Sequence, residues 1–189
     1  GTFFKAFTHI DKASGIPRPA LWLTFGLSIF WTLPFPSWEQ LISVVSAALV
    51  LSYAIAPVTA AGLRRNAPDL PRPFRVRAFG IIGPISFMIS ALIVYWSGWN
   101  TLSWLLGLQI VMFVVYVMCK GKVPEHTVSL AQQVKSSLWL IVFYALIILF
   151  SWLGSFGGLN VIGHPWDTVL VAAMSLGIYY WGARSCLPQ

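Results

Sequence analysis

The sequence predicts an all-α polytopic membrane protein with six transmembrane helices, and three observations predict it. Of 189 residues, 58% are hydrophobic and only 9% charged, too little polar surface to cover a water-soluble globule of this length. The apolar residues fall into six stretches, each near the roughly 20 residues that a helix needs to cross about 30 Å of hydrocarbon. All twelve Lys and Arg residues lie on alternate connections. Lys5, Lys12 and Arg18 precede the first stretch, and Arg64, Arg65, Arg72, Arg75 and Arg77 follow the second. Lys120, Lys122 and Lys135 follow the fourth, and Arg184 follows the sixth. Cationic short loops stay in the cytoplasm, so this pattern predicts six crossings of an inner membrane with both termini cytoplasmic.

The stretches lie near residues 19–35, 40–63, 79–97, 101–119, 137–155 and 167–183. Continuous apolar runs of this length favour helices over barrel strands, which would alternate polar and apolar residues. Proline brackets the first stretch, with Pro17 and Pro19 at its start and Pro34 and Pro36 at its end, as expected where helices begin and cannot continue. Ser37-Trp38-Glu39 is expected to form a tight outer turn. Ser97-Gly98-Trp99-Asn100 is so short that the third and fourth stretches are expected to form an antiparallel hairpin. Residues 127–135 suggest a short surface helix before the fifth stretch. Trp31, Trp38, Trp96, Trp99, Trp104, Trp139, Trp152, Trp166 and Trp181, with Tyr95, Tyr179 and Tyr180, are expected to form aromatic belts at the headgroups. The five arginines of residues 64–77 are expected to face lipid headgroups. The chain opens Gly1-Thr2-Phe3-Phe4-Lys5 without an initiating Met, so a longer parent protein is expected.

The net charge of +7 does not point to nucleic acid, because the cations sit beside helix ends rather than in a stripe interleaved with aromatics. The lipid bilayer is the expected partner. Cys119 and Cys186 lie at cytoplasmic helix ends and are expected to remain free thiols. His9, His126 and His164 fall on three connections and cannot meet as a metal site or an acid–base pair without crossing the membrane. No Gly-x-Ser-x-Gly elbow and no phosphate-binding loop occurs, so neither hydrolysis nor nucleotide-driven pumping is expected, and no cofactor or metal is implied. The chain is not expected to be an enzyme.

Ionisable residues at mid-depth would mark a functional site, but none occurs. Glu39 and Asp167 fall at outer helix ends where water is expected to reach them. Capping of the helix and proton coupling are both open readings there, and His164-Pro165-Trp166-Asp167 reads as a loop entering a helix with Asp167 as cap. The second stretch carries Ser43, Ser46, Tyr53 and Pro57 on one helical face. That face can line a water-accessible substrate path or gate, with Tyr53 offering a hydroxyl and Pro57 a bend. The alternative is ordinary helix packing through small residues.

The run Arg64-Arg65-Asn66-Ala67-Pro68-Asp69-Leu70-Pro71-Arg72-Pro73-Phe74-Arg75-Val76 resembles a cytoplasmic loop of bacterial amino acid permeases of the amino acid/polyamine/organocation superfamily. Ser14-Gly15-Ile16-Pro17-Arg18-Pro19-Ala20-Leu21 is similar to the segment leading into their ninth helix. Ile93-Val94-Tyr95-Trp96-Ser97-Gly98-Trp99 and the last helix pair most resemble fourteen-helix aspartate:proton symporters of that group. One departure is Arg77-Ala78-Phe79, where many relatives have Pro-Gly.

The resemblance implies a LeuT-like transporter of which this chain supplies helices nine to fourteen. Residues 1–63 then correspond to the last two core helices with their lead-in, and 64–78 to a cytoplasmic Arg/Pro-rich loop. Residues 79–119 would be a peripheral hairpin, 120–136 a second cytoplasmic loop, and 137–189 an additional helix pair. The family holds its substrate on unwound first and sixth helices, which would lie before Gly1. The implied function is proton-coupled import of an amino acid, with aspartate or another acidic amino acid as substrate and protons as the coupling ion. This segment would supply scaffold and part of a gate. The alternative is a structural or oligomerisation module, its peripheral helices mediating homo-oligomer contacts.

Overall fold

The computed structural model describes residues 16–33, 37–69, 71–119 and 130–185. They form six helices: α1 (Arg18–Thr32), α2 (Trp38–Asn66), α3 (Phe79–Trp96), α4 (Gly98–Cys119), α5 (Leu130–Leu153) and α6 (Trp166–Ser185). No strand occurs among the described residues. Among the described residues, three segments are long and apolar enough to cross a membrane by length and composition: Trp38–Asn66, Phe79–Trp96 and the Ser136–Leu153 part of α5. α1 has 15 residues, reaching about 22 Å at 1.5 Å per residue.

The chain divides into two units, one of residues 1–42 and 107–127, the other of residues 43–106 and 128–189. In the first, α1 begins after Pro17 with proline in its first turn, where a missing N–H costs nothing. The prolines expected to close it, Pro34 and Pro36, lie outside the described residues. Thr24, Ser28 and Thr32 each donate a hydroxyl to the carbonyl four residues earlier, at 2.9, 2.9 and 3.2 Å. Such back-bonding satisfies polar side chains within the helix itself.

The second unit is organised around α6, against which α3 and α5 pack closely. α2 buries a stripe at steps of three and four and α5 one at steps of four, as one-faced helices must. α2 buries Val44, Ala47, Leu51, Ala54, Val58 and Gly62, and α5 buries Trp139, Phe143, Ile147 and Ser151. Phe87 of α3 sits at the centre, its ring 5.0 Å from Phe143, 6.0 Å from Tyr179 and 6.5 Å from Trp139. Between helices in lipid the hydrophobic effect offers little drive, so close packing has to supply it. Glycine permits that closeness: a Cβ on Gly182 would meet Trp139 and Val58 at 2.8 Å.

Four expectations change. Trp38 and Glu39 belong to the first turn of α2 rather than to an outer turn, because the Ser37 hydroxyl accepts the Gln40 N–H at 3.3 Å and starts the helix as serine caps do. Residues 130–135 continue directly into α5 instead of forming a separate surface helix; residues 127–129 lie outside the described residues. Tyr95, Trp139 and Tyr179 are buried in the core, so the belt loses three of its expected members. Trp38, Trp96, Trp104, Trp152, Trp166, Trp181 and Tyr180 are exposed.

The fourth concerns the arginines. Arg72 turns inward and donates to the carbonyls of Leu63 and Pro68 at 3.0 Å and of Ala67 at 2.5 Å, filling acceptors that the end of α2 leaves open. Arg64 lies 4.0 Å over the Phe79 ring and donates to the Val76 carbonyl at 3.4 Å. Ala78, which leads into α3, has φ 52°, a left-handed conformation that costs an alanine about 1–2 kcal/mol. Ala78→Gly should therefore stabilise the full-length protein by about 1 kcal/mol, read as a higher melting temperature in detergent; an unchanged or lower value would mean that this strain is relieved some other way.

Candidate functional site

Two polar places stand out against the apolar background. The first is the α2 face read from the sequence. The structure splits it: Ser43 shares a 3.0 Å hydrogen bond with Thr101 in the first turn of α4, while Ser46 and Tyr53 are exposed and Pro57 is half-buried. Tyr53 is 66% exposed. Close helix packing in this chain runs instead through the neighbouring Ala47, Ala54 and Gly62 stripe. Thr101 was not foreseen, because its partner lies 58 residues away and no local pattern links them.

Pro57 adds a second polar feature to the Tyr53 turn. Lacking an N–H, it cannot bond the carbonyl four residues earlier, and that carbonyl belongs to Tyr53. Near the middle of the 29-residue α2, a phenolic hydroxyl and a carbonyl without its usual helical donor thus occupy the same turn. In hydrocarbon each unsatisfied group costs several kcal/mol, so this flank suits a wet or protein-lined surface better than lipid.

The second place was not expected to be buried. Asp167, in the first turn of α6, has no exposed surface; water does not reach it, whereas Glu39 in the first turn of α2 is exposed. Three donors converge on its Oδ2: the Tyr95 hydroxyl at 2.7 Å, the Ser155 hydroxyl, and the Ser155 N–H at 3.4 Å. Its Oδ1 accepts the Thr168 N–H at 2.6 Å and the Thr168 hydroxyl at 3.2 Å. His164 places Nδ1 3.6 Å from Oδ1 and keeps its side chain 64% exposed. Asp167 thus does more than cap α6. It ties the end of α3 and the α5–α6 connection to the start of α6.

The connection is built to hold this arrangement. The α5 end carbonyls of Trp152, Leu153 and Gly154 accept N–H groups from Leu159, Val161, Ile162 and Asn160 at 2.7–3.0 Å, and Trp99 donates to the Phe156 carbonyl at 3.0 Å. Gly154 is required sterically, because a Cβ there would meet the Tyr95 hydroxyl and the Phe150 carbonyl. One buried polar atom beside this region, Ser151 Oγ, has no protein partner. His9, His126 and Cys186 lie outside the described residues. Among those described, no three His, Cys, Asp or Glu side chains gather as a metal centre needs.

The donors around Asp167 set an order of effects. Taking the charge away from a buried, fully donated carboxylate costs about 3 kcal/mol, while removing one of several donors costs about 1 kcal/mol. In the full-length protein Asp167→Asn should lower the melting temperature by several degrees and Tyr95→Phe by less. Equal, negligible shifts would show that the network holds nothing.

No family model matches the chain, and no solved structure matches it. The chain is 56% identical over 190 residues to the aspartate-proton symporter of Bacillus subtilis strain 168, covering all of this chain and 36% of that protein. It is 32% identical over 181 residues to the glutamate/serine transporter AimA of the same organism, covering 95% of this chain and 33% of that one. The chain spans about a third of the length of the curated relatives it matches. The permease resemblance carried by its loops therefore extends along the whole sequence, and the chain is similar throughout to part of two bacterial amino acid transporters.

Proposed function

We propose that the chain forms part of a secondary active amino acid importer, proton-coupled and acting on aspartate or another acidic amino acid, in which it supplies scaffold and one wall of a gate. The observation that carries this reading is the 56% identity along the entire chain to an aspartate-proton symporter. In this reading all six helices cross the bacterial inner membrane in a LeuT-like arrangement with both termini cytoplasmic, which the alternate placement of Lys and Arg supports. The groups that hold the substrate belong to the part of such a transporter that this chain does not cover.

The gate role rests on the α2 flank. Ser46 and Tyr53 lie outside the stripe that α2 uses for packing, and Pro57 both frees a carbonyl and permits the helix to bend at that turn. A bending helix with its hydroxyl on the path changes access when it moves, while Ser43, bonded to Thr101, fixes the part of α2 nearer the outer end. No catalytic step and no cofactor figures in this account.

Uptake of labelled aspartate by cells carrying the full-length protein tests it. Tyr53→Phe and Pro57→Ala should each lower uptake several-fold at unchanged membrane abundance. Unchanged uptake would remove the gate role, and loss of a stable complex without loss of uptake would favour the assembly module.

A further inference from the structure

The five arginines between α2 and α3 divide into two sets. Arg72 and Arg64 are spent within the fold, on the carbonyls that end α2 and on the Phe79 ring with the Val76 carbonyl. Arg65, Arg75 and Arg77 are exposed. Between them stands Phe74, 79% exposed, an aromatic ring presented among cations. The exposed acid of this connection is Asp69, so the exposed surface is net cationic.

The flanking helices fix where this surface lies. Trp38–Asn66 and Phe79–Trp96 are both long and apolar enough to span a membrane, so the described residues 67–69 and 71–78 between them lie on one face of the bilayer, at headgroup level. An exposed phenyl ring there is favoured in the interface, and cations beside it are attracted to anionic headgroups. We propose that Arg65, Arg75 and Arg77, with Phe74 inserted among the acyl chains, form a docking surface for anionic phospholipid, while Arg64 and Arg72 only shape the connection that presents it. The inference rests on the membrane location and not on the gate, so it stands or falls independently of uptake.

The binding of short-chain phosphatidylglycerol and phosphatidylcholine to purified full-length protein in detergent at low salt, followed by native mass spectrometry, tests this. Each surface cation raises affinity about five-fold, so wild type should prefer phosphatidylglycerol. The triple variant Arg65→Gln, Arg75→Gln, Arg77→Gln should lose on the order of a hundredfold in affinity for it, with an unchanged melting temperature in the absence of lipid. Phe74→Ser should weaken both lipids. Arg72→Gln should lower the melting temperature instead and leave the lipid preference in place. The proposal is overturned if the triple variant keeps the preference, or if inorganic phosphate at equal concentration displaces the lipid, which would make the surface a site for free anions.

Discussion

The end of the α3, α5 and α6 bundle at which α6 begins depends on a single carboxylate. Asp167 receives donors from the last turn of α3, from the connection after α5, and from its own helix, so three separate segments share one acceptor. Its burial makes the arrangement cooperative: an ionised group withdrawn from solvent is tolerable only while its donors remain in place, and each donor is positioned by the packing of its own element. Gly154 gives the Tyr95 hydroxyl room to arrive, and the capped carbonyls at the end of α5 hold Ser155 where it can donate.

Polar groups in an otherwise apolar chain thus take three distinct fates. At the start of α6 they are consumed internally, around Asp167. In the connection between α2 and α3 they are divided, two arginines shaping the backbone and three left at the surface. On the flank of α2 they stay outward, with Tyr53 exposed and its carbonyl deprived of a donor by Pro57. Since helices in lipid gain little from burying apolar surface against each other, these polar groups, and the glycines that let α6 approach its neighbours, distinguish one arrangement from another.

The helices were legible from sequence because hydropathy and the placement of proline act locally. The start of α3 at Phe79 and the end of α4 at Cys119 coincide with their expected bounds, and α2 and α6 differ by a few residues. Contacts between distant residues were not legible. Tyr95 and Asp167 are 72 positions apart, and each taken alone reads as an interface aromatic and a helix cap. Arg72 reads as one more surface cation until the three carbonyls it reaches are seen. On α2 the helical period puts Ser43, Ser46, Tyr53 and Pro57 on one side, but Thr101, which shares a hydrogen bond with Ser43, carries no signal in the period. Ala78 lies at the point where the loop departs from the resemblance, and it is held at positive φ.

The central claim is that the Tyr53 flank of α2 borders a water-accessible path rather than lipid. Its most direct test is aqueous thiol labelling of a Tyr53→Cys variant in the full-length protein, with Cys119 and Cys186 replaced by Ser. The account predicts modification by a membrane-impermeant maleimide, slowed by saturating aspartate, while a Val44→Cys control on the buried stripe stays unmodified. A cysteine at position 53 that resists the aqueous reagent with and without substrate would place this flank in lipid and contradict the account.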